Sequence, residues 1–415
     1  MKSSILKSHK HTLSAAYLGH ITQAIINNFT PLLFLTFEAE FSLSLSKITL
    51  LVTSNFLLQL IIDLVAASFV DRIGYRKCIV AAHLLCSSGL LLLGILPDLM
   101  PSAFCGIMLS LFLYALGGGL IEVLIAPIVE ACPCENKSAS MSLLHFFYSA
   151  GHVGVVIISA FFFLLFGIEN WRTLAIIWAL IPTVNTIYFL LVPIYSLPSQ
   201  PEIDRVPNLL KSKIFLLFIL LMFVSGASEQ SMNQWASAFA ESALASTGFS
   251  GYAKIIGDLC GPCVFALMMG LSRLLYSRVK RQTSLEHIMT VCSGVCAACY
   301  LLSAACPLIF IKLLCCGLCG LSIGIAWPGI YVLAGKYCHG SSTALFALLA
   351  LGGDLGCAAG PTIVGFVSDS VGSISAGLLC ASVFPLLLLV GMLFLIHKKR
   401  KDPILLFVDK KGNSK

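Results

Sequence analysis

Charged residues are scarce in this chain: Asp, Glu, Lys and Arg make up only 11% of its 415 residues. Soluble domains carry about 25% charged residues, so the composition excludes an ordinary soluble globular protein. Hydrophobic residues account for 58% of the chain, and the mean hydropathy is +0.95. The scarcity of charge therefore predicts a membrane-embedded protein.

Alternating polar and apolar residues are also missing, although transmembrane β-barrels need them in segments of about ten residues. The hydrophobic residues instead form twelve long runs, and roughly 20 apolar residues suffice for a helix to cross a bilayer. The sequence predicts an all-α membrane protein with twelve transmembrane helices, called spans 1 to 12 below. Their predicted limits are 12–37, 48–70, 78–97, 103–131, 139–167, 172–195, 214–240, 252–275, 287–306, 308–334, 343–368 and 374–397.

Signatures of enzymes and of metal sites are not found in the sequence. There is no Gly-rich phosphate-binding loop ending in Lys-Ser or Lys-Thr, so ATP is not expected to drive the protein directly. No arrangement of a nucleophilic side chain with a general base is evident either. The 17 cysteines are an odd number and lack His at metal-ligand spacing, which argues against a disulfide framework or a zinc site. We expect no enzyme activity, no metal and no cofactor.

Basic residues are distributed unevenly between the two sides of the predicted bundle. Lys and Arg concentrate in both tails, in the turns after even-numbered spans and in the central linker, and cytoplasmic segments typically show this excess. We therefore expect a multi-pass plasma-membrane protein with both termini in the cytoplasm. The net charge of +7 then needs no nucleic-acid partner; the expected partners are the lipid bilayer and a small-molecule solute, and the expected state is a monomer. The exceptions to the bias are Lys47, Arg172, Lys254 and Lys312.

A repeat with an offset of 201 positions runs through the chain. The basic turn Asp71–Lys77 lies between spans 2 and 3, and a weaker copy occurs around Arg273. The repeat predicts two six-helix bundles, 1–195 and 214–415, joined by a polar, Pro-containing cytoplasmic linker, 196–213. The other matched pairs are Gly119 with Gly320, Pro127 with Pro328, Ser140 with Ser341, Ser142 with Thr343, and Gly151 with Gly352.

Twelve spans in two halves, a central linker and the sequence D-R-x-G-x-R-K after span 2 resemble the major facilitator superfamily. The resemblance implies a transporter that works by alternating access and holds its solute between the halves near the membrane midplane. It also implies that the basic turn latches the halves at the cytoplasmic face; a solvated turn that only sets topology is the alternative. The implied gating residues are Asp71, Arg72, Gly74, Arg76 and Lys77.

Ionisable side chains inside the predicted spans are few, and each costs at least roughly 2.5 kcal/mol in hydrocarbon. Glu122 in span 4 follows the glycines Gly117–Gly119, which allow a neighbouring helix or a solute to come close. A desolvated carboxylate at this depth can take up and release a proton near neutral pH. A glutamate satisfied by one structural hydrogen bond is the alternative.

Span 7 carries the densest polar cluster of the chain, and residues four apart in it share one helix face. Amides that bond hydroxyls, beside an aromatic ring that packs on C–H groups, favour sugar recognition. Trp327 in span 10 is a candidate second platform, although either tryptophan can be a packing residue. The members of the span 7 cluster are Glu229, Gln230, Asn233, Gln234 and Trp235.

Three further aspartates lie inside spans. Asp354 in span 11 lies among glycines and is expected to face a cavity. Asp258 in span 8 is either a coupling carboxylate or the ion-pair partner of Lys254, four residues earlier. Asp63 in span 2 is expected to be structural.

Neutral polar candidates lie in spans 1 and 5. His145 and His152 in span 5 are candidate proton relays, because histidine titrates near neutral pH, or they are hydrogen-bonded packing residues. Three amides of span 1 are candidates for hydrogen bonds to a ligand: Gln23, Asn27 and Asn28.

Within the superfamily, a glutamate in a glycine-rich span 4 and the amides and aromatics of span 7 resemble the fucose-permease group of proton-coupled sugar importers. This resemblance implies that Glu122 binds substrate or proton. The coupling aspartate of that group in span 1 has no counterpart here, so coupling falls to Glu229, Asp258 or Asp354, or the protein is a uniporter. We expect proton-coupled uptake of a small polar solute such as a sugar, driven by a proton gradient.

Two alternatives to uptake are considered. Drug/proton antiporters of the same superfamily carry an arginine early in span 4 and a Gly-Pro motif in span 5; this chain has neither, which disfavours drug or metabolite efflux. A membrane sensor that binds solute without moving it would be favoured by long regulatory tails, whereas the predicted tails here have about 11 and 18 residues.

Overall fold

The computed structural model describes residues 8–133, 137–195, 210–245, 252–278, 284–338 and 343–401. Within these ranges the chain forms helices and no strand, which confirms the predicted all-α class. Twelve helical spans lie at the predicted positions and form two six-helix bundles. Most of the predicted linker and the end of the chain lie outside the described residues, so the exact boundaries of the halves stay predictions.

The first bundle contains spans 1 to 6. Span 1 is built from two helices joined by a 3-10 turn, Thr30–Leu33, which has a proline at its start. The helices of the bundle are His9–Asn28 and Phe34–Phe41 (span 1), Leu45–Ile73 (span 2), Tyr75–Leu93 (span 3), Ala103–Ala131 (span 4), Lys137–Phe166 (span 5) and Trp171–Leu191 (span 6).

The second bundle contains spans 7 to 12. Span 8 is interrupted by a π-helical turn, Leu259–Cys263, that contains a proline. The helices are Lys213–Ala245 (span 7), Ala253–Asp258 and Val264–Arg278 (span 8), Leu285–Ala305 (span 9), Ile309–Ile323 and Ala326–Tyr337 (span 10), Thr343–Val371 (span 11), and Ile374–Ala381 and Val383–Lys401 (span 12).

Eleven of the described helices are long and apolar enough to cross a membrane by length and composition. Span 1 does not meet this criterion. Its helix carries buried His20, Gln23, Asn27 and Asn28, and it is broken near Pro31. Polar side chains can lie at membrane depth only when they face other protein groups or a cavity, so span 1 is expected to line the interior of the bundle.

Both ends of the described chain lie on one side of the bundle, because twelve crossings separate His9 from Lys401. We call this side the tail face and the opposite side the far face. The two halves meet along two seams, spans 2 and 11 on one side and spans 5 and 8 on the other.

The seam between spans 2 and 11 is closed near the far face by polar contacts. The hydroxyl of Ser46 donates to the Asp369 carboxylate. About two helical turns further in, the hydroxyls of Thr53 and Thr362 share a hydrogen bond of 2.5 Å. These bonds join the first half to the second, so the far-face ends of the halves are held together in this structure.

An aromatic contact completes this closure. The ring of Trp235 in span 7 packs 5.3 Å from the ring of Phe34 in span 1. Gly365 in span 11 lies so close to Thr49 and Trp235 that a Cβ at this position would overlap the Thr49 hydroxyl and lie 2.7 Å from the indole. We call these four residues the far-face gate: Phe34, Thr49, Trp235 and Gly365.

The basic turn between spans 2 and 3 is held within the first half. Gly74 has φ +95°, a conformation that favours glycine over residues with a side chain. Arg76 donates to the carbonyls of Phe189 and Leu190 at 2.8 and 2.9 Å. A cation at the C-terminal end of a helix is favourable because the terminal carbonyls carry partial negative charge. In this structure Arg76 therefore stabilises the end of span 6.

The remaining predicted gating residues of the basic turn are Arg72, Lys77 and Asp71. Arg72 and Lys77 are exposed, and the side chain of Asp71 lies outside the described residues. A gating role for this turn stays a prediction. The copy of the turn in the second half differs, because Arg273 lies inside span 8 and more than one helical turn before its end at Arg278.

Gly365→Ala tests the far-face gate. The added methyl would overlap the hydroxyl of Thr49 and press on the ring of Trp235, and overpacking of this kind costs about 1–3 kcal/mol. We expect faster hydrogen–deuterium exchange at the far-face ends of spans 2 and 11. Gly335→Ala is the matched control, because its Cβ meets no atom within 4 Å. Unchanged exchange in Gly365→Ala would contradict the closed gate.

Candidate functional site

Side-chain amides of spans 1 and 2 form a buried network in the interior of the bundle. Gln59 donates to the side-chain oxygens of Asn27 and Asn55 at 2.9 and 3.1 Å. Gln23 donates to the oxygen of Gln59 at 3.1 Å. Buried amides are costly without hydrogen bonds, so each amide restricts the position of the next.

This network continues into the second half through span 7. Asn233 donates to the side chain of Asn28, and Gln234 donates to the backbone carbonyl of Asn27, each at 3.2 Å. Both also donate to Gln230 at 3.2 Å. The structure thus brings the predicted amides of spans 1 and 7 together, in contacts that cross from one half to the other.

Glu122 joins the network through Gln23, whose amide donates to its carboxylate at 3.2 Å. The preceding glycines make this contact possible because they let span 4 approach its neighbours. A Cβ on Gly118 would lie 3.4 Å from the side-chain oxygen of Gln23, and one on Gly119 would lie 3.0 Å from the Cα of Gln59. Glu122 is therefore positioned beside the amides of spans 1 and 2.

Three carboxylates from three spans lie within electrostatic reach of one another: Asp63 in span 2, Glu122 in span 4 and Asp354 in span 11. We call them the acidic cluster. Among the described residues none of the three forms an ion pair with a basic side chain. Ionised carboxylates within electrostatic reach of one another repel, and the repulsion is stronger in a poorly polarisable interior than in water.

A basic group lies on the other side of the interior, at the seam between spans 5 and 8. Arg273 donates to the carbonyl of Gly324 at 3.2 Å and to the hydroxyl of Ser149 at 3.5 Å. His152 lies one turn from Ser149 on the same face of span 5. Arg273 is within electrostatic reach of both His152 and Glu229. The interior therefore has an acidic side at spans 2 and 11 and a basic side at spans 5 and 8.

Several polar atoms around this interior have no protein partner. Three are acceptors: the side-chain oxygens of Gln23 and Asn233 and one carboxylate oxygen of Glu229. These three residues have exposed fractions of 9% or less. The indole N–H of Trp327 and both ring nitrogens of His152 are also unpartnered. Most buried polar groups in native proteins are hydrogen-bonded, so these atoms of the described residues are candidate contacts for a polar ligand.

The two tryptophans predicted as sugar platforms take different places. Trp235 is fully buried in the far-face gate, and its N–H donates to the carbonyl of Pro361 at 3.0 Å. Trp327 packs against Gly353 of span 11, directly beside Asp354 of the acidic cluster. Of these two tryptophans only Trp327 has an N–H without a partner among the described residues, and the platform role of both stays a prediction.

Asp258 is engaged away from the amide network. Lys254 donates to both of its carboxylate oxygens at 2.7 Å, and the hydroxyl of Ser237 donates to it as well. The ion pair with Lys254 is one of the two roles that the sequence predicts for Asp258.

His145 belongs to span 5, but its side chain lies outside the described residues. One turn further along, the hydroxyl of Tyr148 lies within hydrogen-bonding reach of Asn27 and Asn28.

Some residues of this interior are missed by sequence reasoning. Asn55 and Gln59 lie four residues apart in span 2, as the paired polar residues of span 7 do. The sequence therefore contains a signal for this pair. Arg273 is assigned to a turn by the repeat, and Asp63 is expected to be structural. Neither position can be recognised without knowing which helix faces which.

The profile of the Major Facilitator Superfamily matches residues 16–350. No curated protein sequence matches the chain.

Solved structures with a similar fold are transporters of low sequence identity. The nucleoside transporter NupG has a TM-score of 0.74 at 13% identity, and the match covers 94% of this chain and 98% of the NupG chain. A bacterial homologue of the human lysosomal transporter Spinster, inward-facing and occupied, has a TM-score of 0.73 at 13% identity, covering 95% and 98%. The E. coli fucose:proton symporter FucP has a TM-score of 0.63 at 17% identity, covering 94% and 99%.

Gly118→Val tests the close approach of span 4 to the amide network. The larger side chain would overlap Ile26 and press on Gln23 and Gln59, and the expected cost is about 1–3 kcal/mol. We expect a lower apparent melting temperature in detergent. Gly154→Val is the control, because its Cβ meets no atom within 4 Å. Equal melting temperatures for the two variants would argue against this packing.

Proposed function

The chain belongs to the major facilitator superfamily, and from this premise we propose that it takes up a small polar solute, such as a sugar, together with protons. Membership makes it a multi-pass membrane transporter and not an enzyme. The solute, the coupling ion and the direction of transport form the proposal.

One observation carries the proposal: the amide network joins both halves and leaves acceptor atoms free. Amide and carboxylate oxygens bind hydroxyl donors, and the free acceptors lie on Gln23, Asn233 and Glu229. A solute with several hydroxyls would provide the missing donors. FucP, whose fold is similar, is a fucose:proton symporter, which supports a sugar as the first solute to test.

Transport by alternating access requires the halves to separate at one face while they close at the other. In this structure the far-face gate is closed. Opening it would break the bonds from Asn233 and Gln234 to span 1, and a bound solute would offer these amides other partners. By the positive-inside bias the tail face is cytoplasmic, so we assign this arrangement to a state closed toward the outside, in the plasma membrane.

The acidic cluster supports proton coupling because it contains residues of both halves. Asp63 and Glu122 belong to the first half, and Asp354 belongs to the second. When the halves rock, the distance between these carboxylates changes. The repulsion between their ionised forms, which favours the protonated forms, changes with this distance. Proton binding and conformation are thereby linked, with Glu122 as the coupling residue because it also contacts the amide network.

Glu122→Gln tests the coupling. In proteoliposomes with an alkaline interior, we expect the wild type to accumulate its solute from a panel that includes L-fucose. Gln cannot release a proton, so Glu122→Gln should lose gradient-driven accumulation. It should keep exchange of external for internal solute, which moves no net proton.

Asp258→Asn is the control, since Asp258 is paired with Lys254 outside the network; it should keep its response to the gradient. Full accumulation by Glu122→Gln would show that another group couples. No accumulation of any solute by the wild type would exclude proton symport.

A further inference from the structure

Arg273 stands out among the basic side chains that the structure describes, because its hydrogen-bond acceptors there include no carboxylate. A guanidinium has five N–H donors, and its acceptors here are a carbonyl at 3.2 Å, a hydroxyl at 3.5 Å and the sulfur of Met269 at 3.7 Å. Among the described residues no carboxylate forms an ion pair with it. By contrast, Lys254 is paired with Asp258 and Arg172 with Glu40.

His152 faces Arg273 across the seam between spans 5 and 8. It is 1% exposed, and neither ring nitrogen has a partner. A neutral imidazole carries one N–H donor, so this buried donor also lacks an acceptor. A guanidinium and an imidazole that both need acceptors suit a carboxylate, whose two oxygens accept several hydrogen bonds.

We propose that Arg273, with His152, binds a carboxylate of the transported solute, so that the solute is a monoanionic polyhydroxy acid. This inference rests on the proposed function, because it specifies the solute class of that same site. The hydroxyls of such a solute donate to the free acceptors of Gln23, Asn233 and Glu229. A neutral sugar offers Arg273 and His152 no charged acceptor. A phosphate dianion places a second negative charge among the interior carboxylates.

Glu229 gives this site a means of coupling anion to proton. Among the described residues, the charged or titratable groups within electrostatic reach of it are Arg273 in span 8, Tyr148 in span 5 and Cys357 in span 11. An ionised Glu229 acts as counter-charge to the guanidinium and repels a second carboxylate. The solute therefore binds when Glu229 carries a proton, so anion binding at this site is linked to a proton in addition to the one assigned to Glu122.

The sign of the pH dependence follows from this competition. Raising the pH ionises Glu229, which then repels the solute carboxylate and weakens its binding. Lowering the pH strengthens binding as long as the solute itself stays ionised. Glu229→Gln removes the competing charge and should bind the anion with a flat pH profile.

The test measures binding of four matched probes to the purified full chain between pH 5.5 and 8: D-glucose, D-glucuronate, D-glucosamine and D-glucose 6-phosphate. We expect D-glucuronate to bind at least about tenfold more tightly than the others, since a charge-assisted bond contributes about that factor. Arg273→Gln should abolish this preference, and Arg273→Lys should retain part of it. Lys336→Gln, which removes an exposed cation, should bind as the wild type does.

Three outcomes would overturn the proposal: no preference for D-glucuronate, a preference that survives in Arg273→Gln, or an unchanged pH slope in Glu229→Gln. A purely structural Arg273 would lower the melting temperature of Arg273→Gln without altering the preference. Proton-driven uptake of glucose without binding of glucuronate would overturn the anion site and leave the proposed function intact. Glucuronate binding that depends on Arg273, without gradient-driven uptake of any probe, would overturn the proposed function and leave the anion site intact.

Discussion

Hydrogen bonds between the amides of spans 1 and 7 connect the two halves in the middle of the membrane. Asn233 bonds to Asn28, and Gln234 bonds to the backbone of Asn27. Lipid offers no replacement for these bonds, because hydrocarbon has neither donors nor acceptors. The halves can separate here only if water or a solute takes over the freed amides, so the contact that closes the structure also makes it responsive to a polar ligand.

Close helix packing makes this amide contact possible. Small residues let backbones approach, and packing between membrane helices depends on such contacts because no hydrophobic driving force acts between them in lipid. Because Gly118 and Gly119 have no side chain, spans 1 and 2 pack closely against the side of span 4 that carries Glu122. Gly365 admits Thr49 and Trp235 at the far-face gate. Glycines therefore act in two places: Gly118 and Gly119 position the polar groups, and Gly365 sets how tightly the gate can close.

Charge in the interior is divided between the two seams, with the acidic cluster near spans 2 and 11 and Arg273 near spans 5 and 8. This division is set by individual side chains. The similar structures are 13–17% identical and include transporters described for nucleosides and for fucose. A shared architecture serves different solutes through different side chains, so the cargo is argued here from Arg273, His152, Glu229 and the free amide oxygens.

The sequence by itself determined the class, the twelve spans and the superfamily, because the length and hydrophobicity of a membrane helix are local properties of the chain. It also indicated the polar face of span 7 and the placement of Glu122 beside glycines. Only the tertiary structure decided that Asp258 is paired, that Trp235 lies in the far-face gate, and that Arg273 reaches the interior rather than a turn. These outcomes depend on which helices face each other, and contacts between residues far apart in sequence leave no local pattern from which to predict them.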